Sequence, residues 1–324
     1  MSAGTTLMIG GTGRSGTTIL ARAFASHPDV ATIPEIRLLT DPDGLLDFLT
    51  GYEAWSPYVM DGRLRRLERF LLDLRREGRV HGALRRLNAI QPWIRTEFPH
   101  SRMRIDEACP GFHGLGDALV ARLTEASFAG EHASMRFGDR KRFRAVVPDR
   151  AAAEAAIADF LRGVAESALR HQGGSWFLEK NTWTFLHLDK VLRLMPSARM
   201  VHVVRHPCDV VASFTKQRWM PSDPMLSASV LRGLVARWRQ ARAAVHPSCV
   251  LEVSLERICE KPREQLGRIC DWWGIPHSEA VFSVDFSRGN AGRWRSDIPE
   301  RLHGPLVASL GREIEEHEAI HSRG

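Results

Sequence analysis

The sequence predicts an α/β fold, in which a parallel sheet is flanked by helices and carries a helical insertion. Three observations predict it. A glycine-rich turn joins the first apolar stretch to a helix, apolar strands alternate with helices after residue 174, and a long region between them has helical periodicity. A chain of 324 residues can bury a large core, and we expect a single domain over residues 1–324.

The N-terminal elements surround the segment "GGTGRSGTT" at residues 10–18. Thr5–Ile9 is apolar enough for a short buried strand, and Thr17–Ser26 has the pattern of a helix. The letters "HPDV" end that helix, and an extended stretch over residues 31–37 leads to Glu35. A strand, a tight turn and a helix are therefore expected in that order.

Residues 42–172 are predicted to be mostly helical and to form the insertion. One stripe at helical spacing consists of Leu64, Leu67, Leu71 and Leu74, and a second of Ile157, Leu161, Val164 and Ala168. The second helix ends at a pair of glycines. The arginine-rich helices over residues 62–104 are expected to be solvated faces, with binding of an acidic acceptor, an anionic carrier protein or a membrane-held glycolipid as the alternative.

The α/β pattern resumes in the C-terminal half. Strands are predicted over residues 175–180, 198–204 and 249–254, each followed by a helix. Such alternation indicates parallel strands, whose ligands lie outside their carboxyl ends. Four tryptophans are expected to pack mainly in the core: Trp183, Trp272, Trp273 and Trp294. His202, which alternates with apolar residues on its strand, is also expected to be buried.

Composition narrows the class of protein. The net charge is +7 with only five lysines, which suits an anionic ligand. No apolar run approaches the ~20 residues of a membrane span, and the N-terminus lacks the basic region of a signal peptide, so we expect a cytoplasmic protein with no integral membrane segment. Five scattered cysteines and the lack of an H-E-x-x-H motif predict neither a disulfide framework nor a bound metal.

The segment at residues 10–18 predicts an anion site, because free backbone N–H groups and the helix dipole converge there. Three ligands compete for it. A nucleotide with Mg²⁺ needs a lysine where Thr17 stands and an aspartate after a later strand, where Arg205 and Lys180 stand instead. A dinucleotide fits the spacing of the glycines, with Glu35 as the ribose ligand, but Pro34 interrupts the strand that this acid requires.

The third ligand is a phosphosulfate. A transferring sulfuryl group carries less negative charge than a terminal phosphoryl group, so cationic side chains can stabilise it without a metal. Arg14 within the loop and the hydroxyls of Ser15, Thr17 and Thr18 suit this ligand.

The loop and its continuation, "RSGTTILARAFASHPDVATIPEIR", resemble the sulfotransferases that use 3′-phosphoadenosine 5′-phosphosulfate (PAPS), and most closely their tyrosylprotein branch. The resemblance implies a P-loop NTPase-like sheet and a catalytic set of Arg14, Glu35 and Lys180. Glu35 would be the general base, with Glu179 or His113 as fallbacks, and Arg37 would contact the acceptor. Gly13, Arg14, Ser15, Gly16, Thr17 and Thr18 would bind the phosphosulfate.

Three later segments carry the resemblance further. "MVHVVRHPCDVVASF" resembles the 3′-phosphate motif, with Arg205 at a strand end and Ser213 eight residues later at a helix start. "VSLERICEKP" keeps Glu256 and Pro262 of another family element but has Leu255 where an aromatic residue often stands. "FSRGNAGRWR" resembles the segment that closes over the 3′-phosphate, which implies roles for Arg288 and Gly289 and leaves Ser287 as a departure.

The expected function is transfer of the sulfuryl group from PAPS to an acceptor hydroxyl without a metal. A sugar, lipid or natural product is the expected acceptor, with tyrosyl or phenol acceptors as an alternative and a P-loop kinase as the rival enzyme. A nucleic-acid partner is not expected, because no reading helix or stacking motif accompanies the basic charge. A homodimer is one of the assemblies that we expect.

Overall fold

The computed structural model describes residues 6–74, 105–130, 132, 142–287 and 291–323. In chain order, its strands and helices are β1 (Leu7–Gly10), α1 (Thr17–Ala25), β2 (Val30–Thr32), α2 (Leu45–Thr50), α3 (Pro57–Asp73), α4 (Ile105–Ala108), α5 (Phe112–Arg122), β3 (Thr124–Phe128), β4 (Phe143–Val146), α6 (Arg150–Gln172), β5 (Trp176–Lys180), α7 (Leu188–Leu194), β6 (Arg199–Val204), α8 (Pro207–Phe214), α9 (Pro224–Ala243), β7 (Val250–Ser254), α10 (Leu255–Glu260), α11 (Pro262–Trp273), α12 (Glu279–Phe282), α13 (Trp294–Asp297), α14 (His303–Ser309) and α15 (Gly311–Arg323). Short 3₁₀ turns lie at Gly51–Ala54, Thr184–His187, Pro247–Cys249 and Glu300–Leu302.

The chain forms two compact units. Among the described residues, the sheet unit comprises those within Gly4–Ala31 and Gly174–Gly324, and the helical unit comprises those within Thr32–Gly173. A single domain with an insertion at about 42–172 stays a prediction. No described helix combines the length and the apolar character needed to cross a membrane.

The sheet unit contains a five-stranded sheet in the order β2-β5-β1-β6-β7. Strand β1 pairs in parallel with β5 on one side and β6 on the other, and β6 pairs in parallel with β7. All four residues of β1 are buried, as expected of a central strand covered on both faces. The predicted α/β fold with a parallel sheet is confirmed.

The core of the sheet unit forms where α1 and α11 pack on the strands. Leu20 and Phe24 of α1 are buried with Ile9 of β1, and Phe24 meets Trp273 edge to face with ring centroids 6.0 Å apart. Helix α11 ends at Gly274, whose φ of 86° is the left-handed conformation common after a helix. This packing holds α1 against the sheet, with the first turn of α1 following the loop at the carboxyl end of β1.

The helical unit follows the predicted apolar stripes. The stripe of α3, which continues to Leu74, and the stripe of α6 are buried along their whole length. Ser56 caps α3 by accepting a hydrogen bond from the Val59 amide at 3.2 Å, and Asp149 caps α6 through the Ala151 amide at 2.9 Å. The antiparallel pair β3–β4 is a feature that the sequence did not predict. Strand β3 is mostly exposed, so it lacks the apolar alternation that marks a strand.

Candidate active site in the sheet unit

The loop between β1 and α1 lies at the carboxyl end of the central strand. Gly16 precedes α1 with a φ of 98°, and no side chain caps the helix. The backbone N–H groups of the first helical turn therefore have no side-chain acceptor, and the helix dipole adds partial positive charge at the same point. The predicted strand, turn and helix are present, and their geometry suits an anion.

The loop is held tightly by its neighbours. The Gly11 amide donates to the carbonyl of Thr182, just beyond β5, at 3.4 Å. A Cβ on Gly11 would collide with Ser15 Oγ and lie 2.6 Å from the carbonyl oxygen of Val203 in β6. Ser15 is fully buried, and its Oγ has no hydrogen-bond partner among the described residues. An unpartnered buried hydroxyl is unfavourable, and a bound anion would give it an acceptor.

The Gly11→Ala variant tests this packing. We expect it to lower the free energy of unfolding by about 1–3 kcal/mol, because the added methyl group meets backbone that cannot move aside. Chemical denaturation followed by circular dichroism measures the change. The control is Gly233→Ala in α9, where an added Cβ meets nothing within 4 Å and helix propensity favours alanine. Equal stability of the two variants would contradict the close packing.

Arg14 joins the loop to helix α8. Its backbone has a φ of 59°, the one left-handed non-glycine residue in the described chain. Its Nε donates to Ser213 Oγ at 2.9 Å, and its carbonyl accepts a hydrogen bond from Arg205 Nη1 at 3.1 Å. Arg14, predicted from one motif, and Arg205 and Ser213, predicted from another, therefore lie together beyond the carboxyl ends of β1 and β6. Ser213 stands in the last turn of α8 and not at a helix start, because α8 already begins at Pro207.

Lys180 is the last residue of β5 and pairs in register with Ile9 of β1. It therefore lies at the same edge of the sheet as the loop, and its side chain is half-buried. Thr17 is buried and Thr18 is exposed in the first turn of α1. Gly13 has a φ of 77°, which an L-residue adopts only with strain.

Two predicted residues belong to the helical unit. Glu35 is exposed, and Arg37 makes an ion pair with Asp41, whose carboxylate lies 3.5 Å from Arg37 Nη2. Their roles as general base and acceptor ligand stay predictions. Of the fallback bases, His113 in the same unit pairs with Asp106 at 2.7 Å, and Glu179 is half-buried on β5. Arg288 and Gly289 lie outside the described residues.

Glu256 connects three elements beside the site, a role that the sequence did not predict. One of its oxygens accepts the His206 amide at 2.8 Å, just after Arg205. The other accepts hydrogen bonds from Ser254 Oγ and His317 Nε2, both at 2.9 Å. Burial by itself raises the pKa of Glu256, but the hydrogen bonds from His317 and the His206 amide, together with the charge interaction with His317, outweigh it and lower the pKa to about 2. The carboxylate thereby fixes the start of α8 against β7 and α15.

The Glu256→Gln variant tests this contribution to stability. A carboxylate whose pKa is lower in the folded chain than in the unfolded chain stabilises the fold at pH values above the unfolded pKa, which is about 4.3 for glutamate. This contribution to the free energy of unfolding is lost as the pH falls toward 2. We expect Glu256→Gln to be less stable than the parent at pH 7 and to depend less on pH between about 5 and 2. Urea unfolding across that range measures both effects. Glu260→Gln, at an exposed glutamate paired with Arg257 at 3.4 Å, is the control and should change little.

Asp209 is a second carboxylate that the sequence did not single out. It is buried in the first turn of α8, where its oxygens accept the amides of Gly292 at 2.7 Å and Trp294 at 2.9 Å. One feature of the sequence could have identified Asp209: it is an acidic residue two positions after Pro207, in the first turn of a helix, where the helix dipole favours negative charge. Glu256 and Asp209 together hold the helix that carries Ser213.

Comparison with known proteins supplies the family. The model described as "Sulfotransferase family" matches residues 83–279, more than half of the chain, and the matched part includes Lys180, Arg205 and Ser213. The chain belongs to the sulfotransferase family. The loop at residues 10–18 and Glu35 precede the matched part. A search of curated proteins found no match.

Solved structures resemble this sulfotransferase over most of its length. A sulfotransferase domain from the curacin biosynthetic pathway is 12% identical, with 95% of this chain and 97% of that chain covered at a TM-score of 0.50. A sulfotransferase domain from the Synechococcus PCC 7002 olefin synthase is 19% identical, with 94% and 85% covered at a TM-score of 0.47. Sulfotransferase STF9 from Mycobacterium avium is 15% identical, with 98% and 77% covered at a TM-score of 0.45. The first of these similarities supports the fold.

Proposed function

We propose that this sulfotransferase moves the sulfuryl group from PAPS to an acceptor hydroxyl, a sugar, lipid or natural product, without a metal. The observation that carries the proposal is the contact of Arg14 with both Ser213 and Arg205. PAPS has two anionic groups, a 5′-phosphosulfate and a ribose 3′-phosphate, and each requires its own donors. The loop supplies one set of donors, and Arg205 with Ser213 supplies the other.

The donor set fits the phosphosulfate. In this proposal, backbone amides at the start of α1, the Ser15 hydroxyl and the Arg14 guanidinium bind oxygens of the 5′ group, which is supported by the uncapped helix start and the unpartnered Ser15 Oγ. Gly13, Gly16, Thr17 and Thr18 complete this loop, and Arg288 and Gly289 are assigned to the 3′-phosphate by their motif. The match between these donors and PAPS depends on cationic side chains held at fixed positions. A site that stabilises the negative charge developing in the transition state requires such cations.

In the proposed reaction, the acceptor oxygen attacks sulfur in line with the bond to the 5′-phosphate. The new S–O bond forms as the old one breaks, and its electron pair leaves with adenosine 3′,5′-bisphosphate. Glu35 takes the proton of the acceptor hydroxyl, and Arg37 contacts the acceptor. Arg14 and Lys180 neutralise the charge that develops on the bridging oxygen.

Isothermal titration with adenosine 3′,5′-bisphosphate in the presence of EDTA tests the nucleotide assignment. We expect one molecule to bind per chain without metal, and ATP with Mg²⁺ to bind more weakly, because ATP lacks the 3′-phosphate. If the chain does not bind the bisphosphate but does bind ATP with Mg²⁺, the result would favour assignment as a P-loop kinase. Incubating metabolite and peptide extracts with ³⁵S-labelled PAPS would then identify the acceptor.

A further inference from the structure

A buried histidine of helix α15 lies beside Arg205, the residue proposed to bind the 3′-phosphate. His317 is 7% exposed, and it lines the same cavity as Arg205 and Thr12 of the loop. Its ring meets the ring of His206 edge to face, with centroids 5.6 Å apart. No motif that marks the site includes His317, so a residue from a distant helix reaches the end of β6.

Two contacts in series join His317 to the backbone of Arg205. His317 Nε2 lies 2.9 Å from one oxygen of Glu256, and the other oxygen accepts the amide of His206 at 2.8 Å. That amide belongs to the peptide group between Arg205 and His206, and the His206 side chain does not cap α8. Because a backbone N–H points along its own hydrogen bond, the direction of the Glu256 carboxylate fixes the rotation of this peptide group.

The position of the Arg205 guanidinium depends on the same peptide group. Arg205 Nη1 donates to the carbonyl of Arg14 at 3.1 Å, and Arg14 Nε donates to Ser213 Oγ at 2.9 Å. A rotation of the backbone at the end of β6 would draw the guanidinium away from the loop. Hydrogen bonds to a phosphate need donors at fixed positions, so a small displacement of the guanidinium weakens them.

A pair of ion pairs holds His317 in place on α15. Arg239 of α9 donates to Glu313 at 2.7 Å and to Glu316 at 2.8 Å. Glu313 stands one helical turn before His317, and both side chains are buried on the same face of the helix. The turn of α15 that carries His317 is therefore fixed against α9.

We propose that His317 is a positioning residue for the 3′-phosphate site, because it holds the Glu256 carboxylate that in turn holds the peptide group after Arg205. The inference rests on the proposed function and gives α15 a part in binding the nucleotide. Ser254 Oγ donates to the same oxygen of Glu256 at 2.9 Å, so loss of the histidine loosens the carboxylate without releasing it. The expected effect is a weaker interaction with the 3′-phosphate in a chain that still folds.

Two amide variants of His317 test the inference. His317→Gln carries an NH₂ group close to the position of Nε2, whereas the side chain of His317→Asn is one bond shorter and its NH₂ group falls near the position of Nδ1. We expect His317→Asn to bind adenosine 3′,5′-bisphosphate about tenfold more weakly than the parent chain, and adenosine 5′-monophosphate within about twofold of the parent value. His317→Gln should stay within about threefold of the parent for both nucleotides. Titration calorimetry measures these affinities.

The matched control is His277→Asn. His277 pairs with Asp271 at 2.8 Å on an exposed surface of the same unit, so this variant removes a similar contact without touching Glu256. Both of its affinities should stay within about twofold of the parent values. If circular dichroism shows that His317→Asn does not fold, His317→Ala replaces it with the same expectation, because alanine favours the helix and leaves room for water beside the carboxylate.

The outcomes separate this inference from the proposed function. If the parent chain does not bind the bisphosphate, or binds it no more tightly than the monophosphate, the proposed function fails. If the parent prefers the bisphosphate and the folded His317→Asn variant keeps that preference within about twofold, the positioning role alone is overturned. An equal loss of affinity for both nucleotides, or a loss in His317→Gln as large as in His317→Asn, would overturn it as well, since either result indicates a general structural role.

Discussion

The Arg14→Ala variant is expected to transfer the sulfuryl group about 10²–10³ times more slowly than the parent chain. The substitution removes a cation from within the loop, together with its hydrogen bond to Ser213 Oγ at 2.9 Å. The charge that develops on the bridging oxygen then lacks one of its two proposed counter-charges. Transfer of ³⁵S from labelled PAPS into the acceptor extract measures the rate, with PAPS at saturation.

Arg22→Ala provides the control for charge and for α1. Arg22 is an exposed arginine in the last turn of the same helix, so its removal changes the net charge equally and leaves the loop intact. Its transfer rate should stay within about twofold of the parent value. A normal rate in the Arg14→Ala variant would show that the loop arginine has no part in stabilising the leaving group.

The Glu35→Gln variant is expected to lose turnover by about 10²–10⁴-fold while its affinity for adenosine 3′,5′-bisphosphate is unchanged. The amide has nearly the shape of the carboxylate but cannot accept the proton of the acceptor hydroxyl. Single-turnover transfer from labelled PAPS and titration with the bisphosphate measure the two properties separately.

The companion variant is Glu53→Gln, at another exposed glutamate of the helical unit. It should match the parent in both assays. Normal turnover by Glu35→Gln would exclude Glu35 as the base and direct attention to the fallbacks Glu179 and His113. Reduced bisphosphate affinity would instead indicate a structural role for the carboxylate.

Much of the sheet unit was predictable because its elements depend on local patterns. Apolar runs marked β5, β6 and β7, and the structure places them within a residue or two of the predicted ranges. The helix predicted from Thr17 begins at that residue, because Gly16 permits the left-handed turn that precedes it. Strands β3 and β4 were missed because β3 is mostly exposed and because their pairing with each other depends on contacts that are absent from the local pattern.

For the candidate site too, local motifs predicted individual residues but not the contacts between them. One motif identified Arg14, and a second motif identified Arg205 together with Ser213. Their contact was not predictable, because it depends on β1 and β6 being neighbours, which local periodicity does not encode. The contacts of Glu256 and the meeting of Trp183 with Trp219 were not predicted for the same reason, since their partners are distant in the chain.

Local sequence patterns were enough to predict the fold class, the turn suited to an anion and the residue types expected of a phosphosulfate site, because helix, strand and turn chemistry act over a few residues. The contact of the turn with the end of β6 through Arg14, and the contact of Glu256 with the start of α8, became visible in the folded chain alone. The same is true of the two indoles that meet beside Gly13. These contacts result from strand order and core packing, in which the side chains that touch come from distant parts of the chain.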